Sequence, residues 1–274
     1  MKKSVLAILA IGLALSSFAQ TDSTGSKADT IRVGGMIIIK KPGRNHTEDR
    51  EVIISNKRKS SSNISTNWFI VDLGFANWKD ETNYASALQS GFVSPEIAGK
   101  DNLELRTGKS VNVNIWLFMQ KLNLAKHYVN LKYGMGVELN NYRFDDERVR
   151  FSKNPTRISL DPALANAKKN KLAADYITVP MMLNFDFTPG RKNGFGFSAG
   201  MSAGYLYSAR QKIKMNDDKT KLHNDFDLEK WKISYIAELT LGPVRLYGSM
   251  ATKNMWEKGL DMTPYNVGIR FSHF

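Results

Sequence analysis

The chain has 274 residues and a formal net charge of +13, and it contains no cysteine. The lack of cysteine excludes disulfide frameworks and thiolate metal sites. Beyond the N-terminus, no apolar stretch reaches the ~20 residues that a membrane-spanning helix needs. The basic residues lie in no nucleic-acid-binding motif, so we expect no nucleic acid partner and an anionic lipid or polysaccharide surface instead.

The N-terminus has the layout of a secretory signal peptide. Lys2 and Lys3 precede an apolar run over residues 5–15, and small residues at 16–19 offer a cleavage site. We therefore expect residues 1–19 to be removed during export. An N-terminal membrane anchor is the alternative, but the apolar run is short for a span and a polar stretch follows it.

Residues 20–66 are predicted to form a periplasmic N-terminal segment with two short strands. The predicted strands are Ile31 to Lys40 and Glu51 to Ser55, with Pro42 and Gly43 between them. Ser60 to Ser62 are predicted to be a flexible link. The segment is a candidate hairpin, partner-binding strand or plug.

Residues 67–274 contain eight segments in which apolar and polar residues alternate. Successive side chains of a strand point to opposite faces, so this period of two predicts half-buried strands. Most segments are about ten residues long, the length that a tilted strand needs to cross a bilayer. The segments are 69–75, 111–119, 129–139, 177–187, 195–207, 231–241, 244–250 and 265–271.

The connections between these segments alternate in length. Transmembrane barrels alternate long outer loops with short periplasmic turns, whereas a soluble sandwich has no such rule. The long connections are 78–109, 141–175, 208–230 and 251–264, and the short ones are 120–127, 188–194 and 242–243. Aromatic residues near segment ends are typical of a membrane interface. They include Trp68, Trp78, Tyr128, Tyr142, Tyr205, Tyr207, Trp231 and Tyr265.

The pattern predicts an all-β fold, namely an eight-stranded antiparallel transmembrane β-barrel with both termini in the periplasm. A soluble sandwich or a lipocalin-like barrel is the alternative. The segment ending in Phe18-Ala19-Gln20, the stretch from Ile31 to Lys40, the eight segments and the terminal Phe274 resemble the outer membrane β-barrel domain proteins of Bacteroidetes, a group that includes PorT-like proteins. The resemblance covers roughly residues 60–274.

This resemblance implies an up-and-down barrel of the small OmpA/OmpX type in the outer membrane, with the barrel-assembly machinery as a partner during insertion. One feature departs from the best-known outer membrane signal, in which the terminal aromatic shares the apolar face. Here Val267, Ile269 and Phe271 share one face, whereas Phe274 falls on the other.

The interior of such a barrel is filled by side chains, so charges that point inward should pair. Residues opposite in phase to the apolar stripes supply four acids and four bases. We expect Arg245 and Arg270 to be held by two or more of the acids, with Arg270 near Asp72. This favours a closed, salt-bridged lumen over a narrow charge-lined pore. The predicted lumen residues are Asp72, Lys132, Glu138, Asp186, Lys232, Glu238, Arg245 and Arg270.

An active site is not predicted. Of the four histidines, only His223 lies in a predicted outer loop, and its neighbour Asp225 could orient it as a general base. The same loop carries several lysines, which is typical of a solvated charged loop. We therefore predict no catalytic residue, no cofactor and no metal.

The longest predicted outer loop, residues 141–175, is strongly basic, and its middle from Asp161 to Ala174 is predicted to form a short helix. Basic side chains just outside the membrane are candidate contacts for lipopolysaccharide phosphates, although an ordinary solvated loop is the alternative. These candidates are Arg148, Arg150, Lys153 and Arg157.

The predicted function is non-enzymatic. The barrel would act through its extracellular loops or its periplasmic segment, in a structural, adhesive or assembly role. Its expected partners are outer membrane lipids, lipopolysaccharide and a periplasmic or membrane protein. The alternatives are a small outer membrane enzyme, either lipid-modifying or a protease, and a narrow channel.

Overall fold

The computed structural model describes the backbone of residues 29–33 and 36–40 and describes residues 62–191 and 193–272 in full. The chain divides into two compact units, Met1–Ser61 and Ser62–Phe274. The predicted signal peptide, the predicted strand from Glu51 to Ser55, and Phe274 lie outside the described residues. Within the described part of the chain, no helix is long and apolar enough to cross a membrane.

The first unit contains an antiparallel pair, β1 (Asp29–Val33) and β2 (Met36–Lys40), in which Val33 lies opposite Met36. The stretch from Ile31 to Lys40 was predicted as one strand and is instead parts of two. Gly34 and Gly35 lie between β1 and β2 in the sequence. A Gly-Gly pair between two strands is a hairpin signal that the prediction overlooked.

The second unit is built on a nine-stranded antiparallel sheet. Its strands are long because the alternation continues beyond the apolar segments into polar sequence. In chain order the strands are β3 (Ile64–Asp80), β4 (Val111–Ala125), β5 (Val129–Arg143), β6 (Val149–Phe151), β7 (Ile158–Leu160), β8 (Lys169–Asp186), β9 (Phe195–Met215), β10 (Asp218–His223), β11 (Trp231–Leu241), β12 (Val244–Ala251) and β13 (Met262–Phe271). Of these, β6 and β7 form a separate two-stranded sheet.

The nine-stranded sheet closes on itself. The strand order is β10-β9-β11-β12-β13-β3-β4-β5-β8, and β8 pairs in turn with β9. β10 pairs only with β9 and forms a hairpin with its last part, so β10 is not one of the strands that close the ring. Each of the eight predicted segments coincides with one of the other strands, and only Phe187, at the end of segment 177–187, lies outside its strand. Closure leaves the ring without an unpaired edge, which is what a sheet in a bilayer requires because lipid cannot satisfy free backbone groups.

Apolar side chains cover the outer face of the ring, and polar ones lie inside it. On β8, Val179 and Met181 are 46% and 58% exposed, whereas Thr178 and Asn184, on the opposite phase of the strand, are buried. This is the reverse of a water-soluble sheet, in which the apolar face is covered. An exposed apolar belt of this extent calls for lipid as its solvent.

At the end of the ring with the long connections, the loops are ordered. They contain helix α1 (Tyr84–Gln89) and short 3-10 helices at Lys100–Leu103, Thr107–Lys109 and Pro162–Leu164. Of the helix predicted between Asp161 and Ala174, only the 3-10 helix at Pro162–Leu164 is present, because β8 already begins at Lys169. Its buried Asn170 and Leu172 alternate with lysines, so the strand period continues there.

Trp78 and Tyr142, predicted at the membrane interface, are instead 8% and 1% exposed. Both residues fall on the inward phase of their strands, β3 and β5, beyond the apolar belt. Their rings pack against each other in a tilted arrangement, with centroids 4.9 Å apart and an interplanar angle of 37°. The other predicted interface aromatics, such as Trp68 and Trp231, are exposed on the outer face.

Candidate functional site inside the ring and its cap

Three acids and three bases meet in the interior of the ring. Each lies on the inward phase of its strand, and each is at most 8% exposed. We call this group the central cluster. Its members are Asp72, Lys132, Glu138, Lys232, Glu238 and Arg270. The charges balance, which is the condition under which a buried set of ions is tolerated.

Asp72 is the most enclosed member of the central cluster. Arg270 is its cross-strand partner, and the Arg270 guanidinium donates from Nε and Nη2 to the two carboxylate oxygens, each at 2.7 Å. Asn114 Nδ2 and Trp116 Nε1 donate to Asp72 Oδ2 at 3.1 and 2.8 Å. Four donated hydrogen bonds replace the water that this carboxylate has lost, and the forked guanidinium fixes its orientation.

The rest of the central cluster crosses the lumen. Arg270 also contacts Glu238, and Lys132 donates to the other oxygen of Glu238. Lys232 donates to Glu138, so two separate ion pairs connect β5 with β11. These strands are not neighbours in the ring, because β8 and β9 lie between them. The central cluster therefore spans the interior from wall to wall.

Asp186 and Arg245, predicted in the same network, lie instead at the end with short connections. Lys121 Nζ bonds Asp186 Oδ2 at 2.9 Å, and Arg245 donates to the Ser272 carbonyl. Both residues line a cavity of about 50 Å³ that also touches Lys132. Asp186 is the last residue of β8 and Arg245 is the second residue of β12. Because both lie at the strand ends near the short connections, they are separated from the central cluster.

Neutral side chains complete the network, and they were not among the predicted lumen residues, all of which are charged. Asn112 Nδ2 donates to Asn140 Oδ1 at 2.9 Å, and Asn140 Nδ2 donates to Glu138 Oε1 at 3.1 Å. The Tyr247 hydroxyl donates to Asn112 Oδ1. The alternation of each strand could have identified these residues, because they lie on the same inward phase as the charged residues of the central cluster.

Glycines make room for the largest side chains of the interior. A Cβ on Gly136 would lie 2.8 Å from the Trp116 ring, and one on Gly74 would lie 2.5 Å from the Tyr247 hydroxyl. Larger residues at these positions would push both rings away from the network. With the rings in place, the cavity beside Trp116 and Arg270 measures only about 30 Å³.

The long loops fold over the opening of the ring and fill it with apolar side chains; we call this the cap. Its core packs loop residues against inward residues of the wall such as Tyr176 and Leu206. Trp256 stacks on Phe151 at 5.9 Å with an interplanar angle of 7°. The loop residues of this core are Phe92, Val93, Ile97, Leu103, Leu105, Phe144, Val149, Phe151, Ile158, Phe226, Leu228, Met255, Trp256 and Leu260.

Backbone contacts join the cap loops to one another. Ser94 donates its N–H to the Ile158 carbonyl at 2.8 Å, and Glu229 donates to the Met255 carbonyl at 2.9 Å. Leu228 and Trp256 also form an isolated bridge. The cap is therefore a folded layer above the central cluster, unlike the solvated loops that the sequence predicted.

The predicted anion contacts lie on the surface of the cap, and two of them are already paired. Arg148 bonds Asp146 at 2.7 Å, and Arg150 bonds Asp161 at 2.6 Å. The hydrogen bond to Asp146 raises the pKa of the Arg148 guanidinium, and the one from Arg150 lowers the pKa of the Asp161 carboxyl. Lys153 and Arg157 are exposed.

The region considered for catalysis is open to solvent. His223 ends β10, and His223 and Asp225 are both exposed. Over residues 62–191 and 193–272, no group of three histidine or carboxylate side chains is placed to hold a metal ion.

Comparison with known proteins agrees with this architecture. The chain matches the family described as outer membrane protein beta-barrel domain over residues 74–248, which is more than half of its length. A comparison with curated proteins found no match. The matched region runs from β3 to β12 and includes most of the central cluster. The ring is accordingly an outer membrane β-barrel with transmembrane strands, and the chain belongs to the outer membrane protein beta-barrel domain family.

Proposed function

We propose that the protein is a non-enzymatic, eight-stranded outer membrane barrel with a closed interior, acting through its extracellular surface or its N-terminal segment. In this proposal the signal peptide is cleaved, both termini lie in the periplasm, and the barrel-assembly machinery inserts the chain. The closer kinship would be with the PorT-like proteins of Bacteroidetes. The role would be structural, adhesive or one of assembly.

The observation that supports this proposal best is the central cluster. Its ion pairs run from β5 to β11 across the lumen, and the apolar cap lies above them. An ion that passed through would have to displace balanced, hydrogen-bonded charges and then an apolar layer. Among residues 62–191 and 193–272, no specific arrangement of side chains favours the channel or the enzyme alternative, so recognition at the outer surface is the better proposal.

The first prediction concerns the orientation of the barrel. The chain has no native cysteine, so single cysteines report position without background. Lys153→Cys lies in the cap, and Lys126→Cys lies in the turn between β4 and β5; both lysines are exposed. A membrane-impermeant maleimide applied to intact Gram-negative cells should label Lys153→Cys. It should reach Lys126→Cys only after the outer membrane has been permeabilised.

Comparison of the two cysteine variants distinguishes an inverted barrel from a cap that does not reach the cell surface. Labelling of Lys126→Cys alone on intact cells would mean that the barrel is inverted. No labelling of either cysteine on intact cells, with full labelling after permeabilisation, would mean that the cap is not at the cell surface. Either result would overturn the proposal that the cap loops carry the function.

A further inference from the structure

Six lysines stand together on the outer face of the sheet, beyond its apolar belt. The register of β8, β9 and β10 places them in two rows that cross the three strands. We call this group the lysine face. The rows are Lys171, Lys212 and Lys221, and Lys169, Lys214 and Lys219.

The lysine face points away from the lumen. On β8, Asn170 and Leu172 are buried on the inner side, so the lysines that alternate with them point outward. On β9, an irregularity opposite Asp175 and Tyr176 shifts the phase beyond Tyr207. As a result Gln211 is buried inside, and the neighbouring Lys212 joins the outer face.

The lysine face carries little compensating charge. Directly opposed residues on adjacent strands have Cβ atoms about 4.5–5.5 Å apart, and like charges at that distance repel. Within residues 62–191 and 193–272, its ion pairing is limited to Lys214 and the exposed Asp217, at 3.9 Å. The nearby Asp175 is bonded to Arg210. Such a repulsive arrangement is best explained if an external anion neutralises it.

The position of the lysine face identifies the source of that anion. Tyr205, Tyr207 and Trp231 are exposed aromatics, which mark the edge of the apolar belt. Lys212 lies five residues beyond Tyr207, about 17 Å along the strand, and a strand tilt near 45° reduces this to about 12 Å along the membrane normal. The headgroup region adds only about 5–7 Å on each side of the hydrocarbon core, so the Lys212 backbone lies about 5 Å outside it. From there a lysine side chain can bend back towards the phosphates of the headgroups.

The lysines also form a shallow cleft rather than a flat surface. The side chains of both rows enclose about 250 Å³. By contrast, Arg148 and Arg150 on the cap already hold the carboxylates of Asp146 and Asp161. Two basic residues of the cap are therefore already neutralised, whereas most of the lysine face, where lipid is the neighbour, has no ion-pair partner among the described residues.

We propose that the lysine face binds the phosphate groups of a phosphorylated glycolipid of the outer leaflet, with the chemistry of the lipid A headgroup. Clustered phosphates would neutralise both rows at once through charge-assisted hydrogen bonds. This inference rests on the proposed function only in placing the cap end of the barrel outside the cell.

Lipid binding to the purified full chain tests the proposal. The detergent-solubilised protein is offered lipid A or the same lipid without its phosphates, and bound lipid is counted by native mass spectrometry. The parent should retain the phosphorylated lipid preferentially. The triple variant Lys171→Gln, Lys212→Gln and Lys221→Gln, which removes one row, should bind it at least about tenfold more weakly.

A matched control removes three charges elsewhere. Arg148→Gln, Arg150→Gln and Arg157→Gln together should leave lipid binding near the parent value. An equal loss in the control would mean general charge attraction, and an unchanged triple lysine variant would mean that the site is wrong. Effective competition by inorganic phosphate at the lipid concentration would indicate a free-anion site, which also overturns the proposal.

Stability supplies an independent readout. Without phosphorylated lipid, the triple lysine variant should unfold at a higher urea concentration than the parent, because repulsion between neighbouring lysines is relieved. Unfolding at a lower concentration would show that the lysines support the fold instead of a ligand. Failure of lipid binding with correct surface labelling of Lys153→Cys would reject this inference alone. Inverted labelling would reject the proposed function first.

Discussion

Replacement of Asp72 by alanine should lower the free energy of unfolding by about 3–5 kcal/mol, because it leaves the Arg270 guanidinium buried without its forked partner. Asp72 is fully buried and accepts hydrogen bonds from Arg270, Asn114 and Trp116, so no water can take its place. Urea unfolding of the chain refolded into lipid vesicles measures the effect. The midpoint should fall, and the urea dependence of the unfolding free energy should stay similar.

Two further variants separate charge pairing from general damage. The double variant Asp72→Ala and Arg270→Met leaves two acids and two bases in the central cluster, and it should recover much of the lost stability. Asp186→Ala breaks the partly exposed pair with Lys121 and should cost at most about 1 kcal/mol. If the double variant were no more stable than Asp72→Ala alone, the buried charge would not be the cause.

Replacement of Trp256 by alanine should have an effect of similar size, but confined to the cap. Trp256 is 2% exposed and packs against Phe151 and Phe92. Truncation of a buried tryptophan costs about 3–5 kcal/mol. Because proteolysis of an opened region follows the population of its open form, cleavage of the cap loops should become about 100- to 5,000-fold faster. The measurement is the rate of loop cleavage by added protease, with the strands left intact.

Trp231→Ala is the matched control. Trp231 is 63% exposed on the outer face of the barrel and does not belong to the core of the cap. The cleavage rate of this variant should remain near that of the parent protein. Equal rates for Trp256→Ala and Trp231→Ala would show that the cap loops are not a packed layer.

The strands and the inward residues were predictable because a strand obeys a strict period of two. Once Ile269 and Phe271 were assigned to the outer face, Arg270 had to point inward, and its cross-strand partner is Asp72. Pairing between distant strands was not predictable in detail. The contact of Lys132 with Glu238 depends on the stagger of the whole ring, which alternation along single strands does not specify.

The cap and the lysine face were missed for a different reason. The polar composition of the long connections predicts solvated loops, because the apolar residues that fill the cap are scattered among charged ones. The lysines of β8 and β9 were predicted to lie in loops. Beyond the apolar belt both strands have a polar outer face, so the apolar alternation that identifies a strand is lost there. The alignment of these lysines depends on the shifted phase at Tyr207, a local irregularity with no sequence signal comparable to the alternation.

The conductance of the purified parent protein in a planar lipid bilayer tests most directly the claim that the interior is closed. The central cluster spans the lumen and the apolar cap covers it, so the protein should insert without producing steady current. Insertion is verified separately, by the resistance of the strands to protease in the same lipid. A steady, ion-selective conductance from the inserted parent protein would show that the lumen is open and that the barrel is a channel.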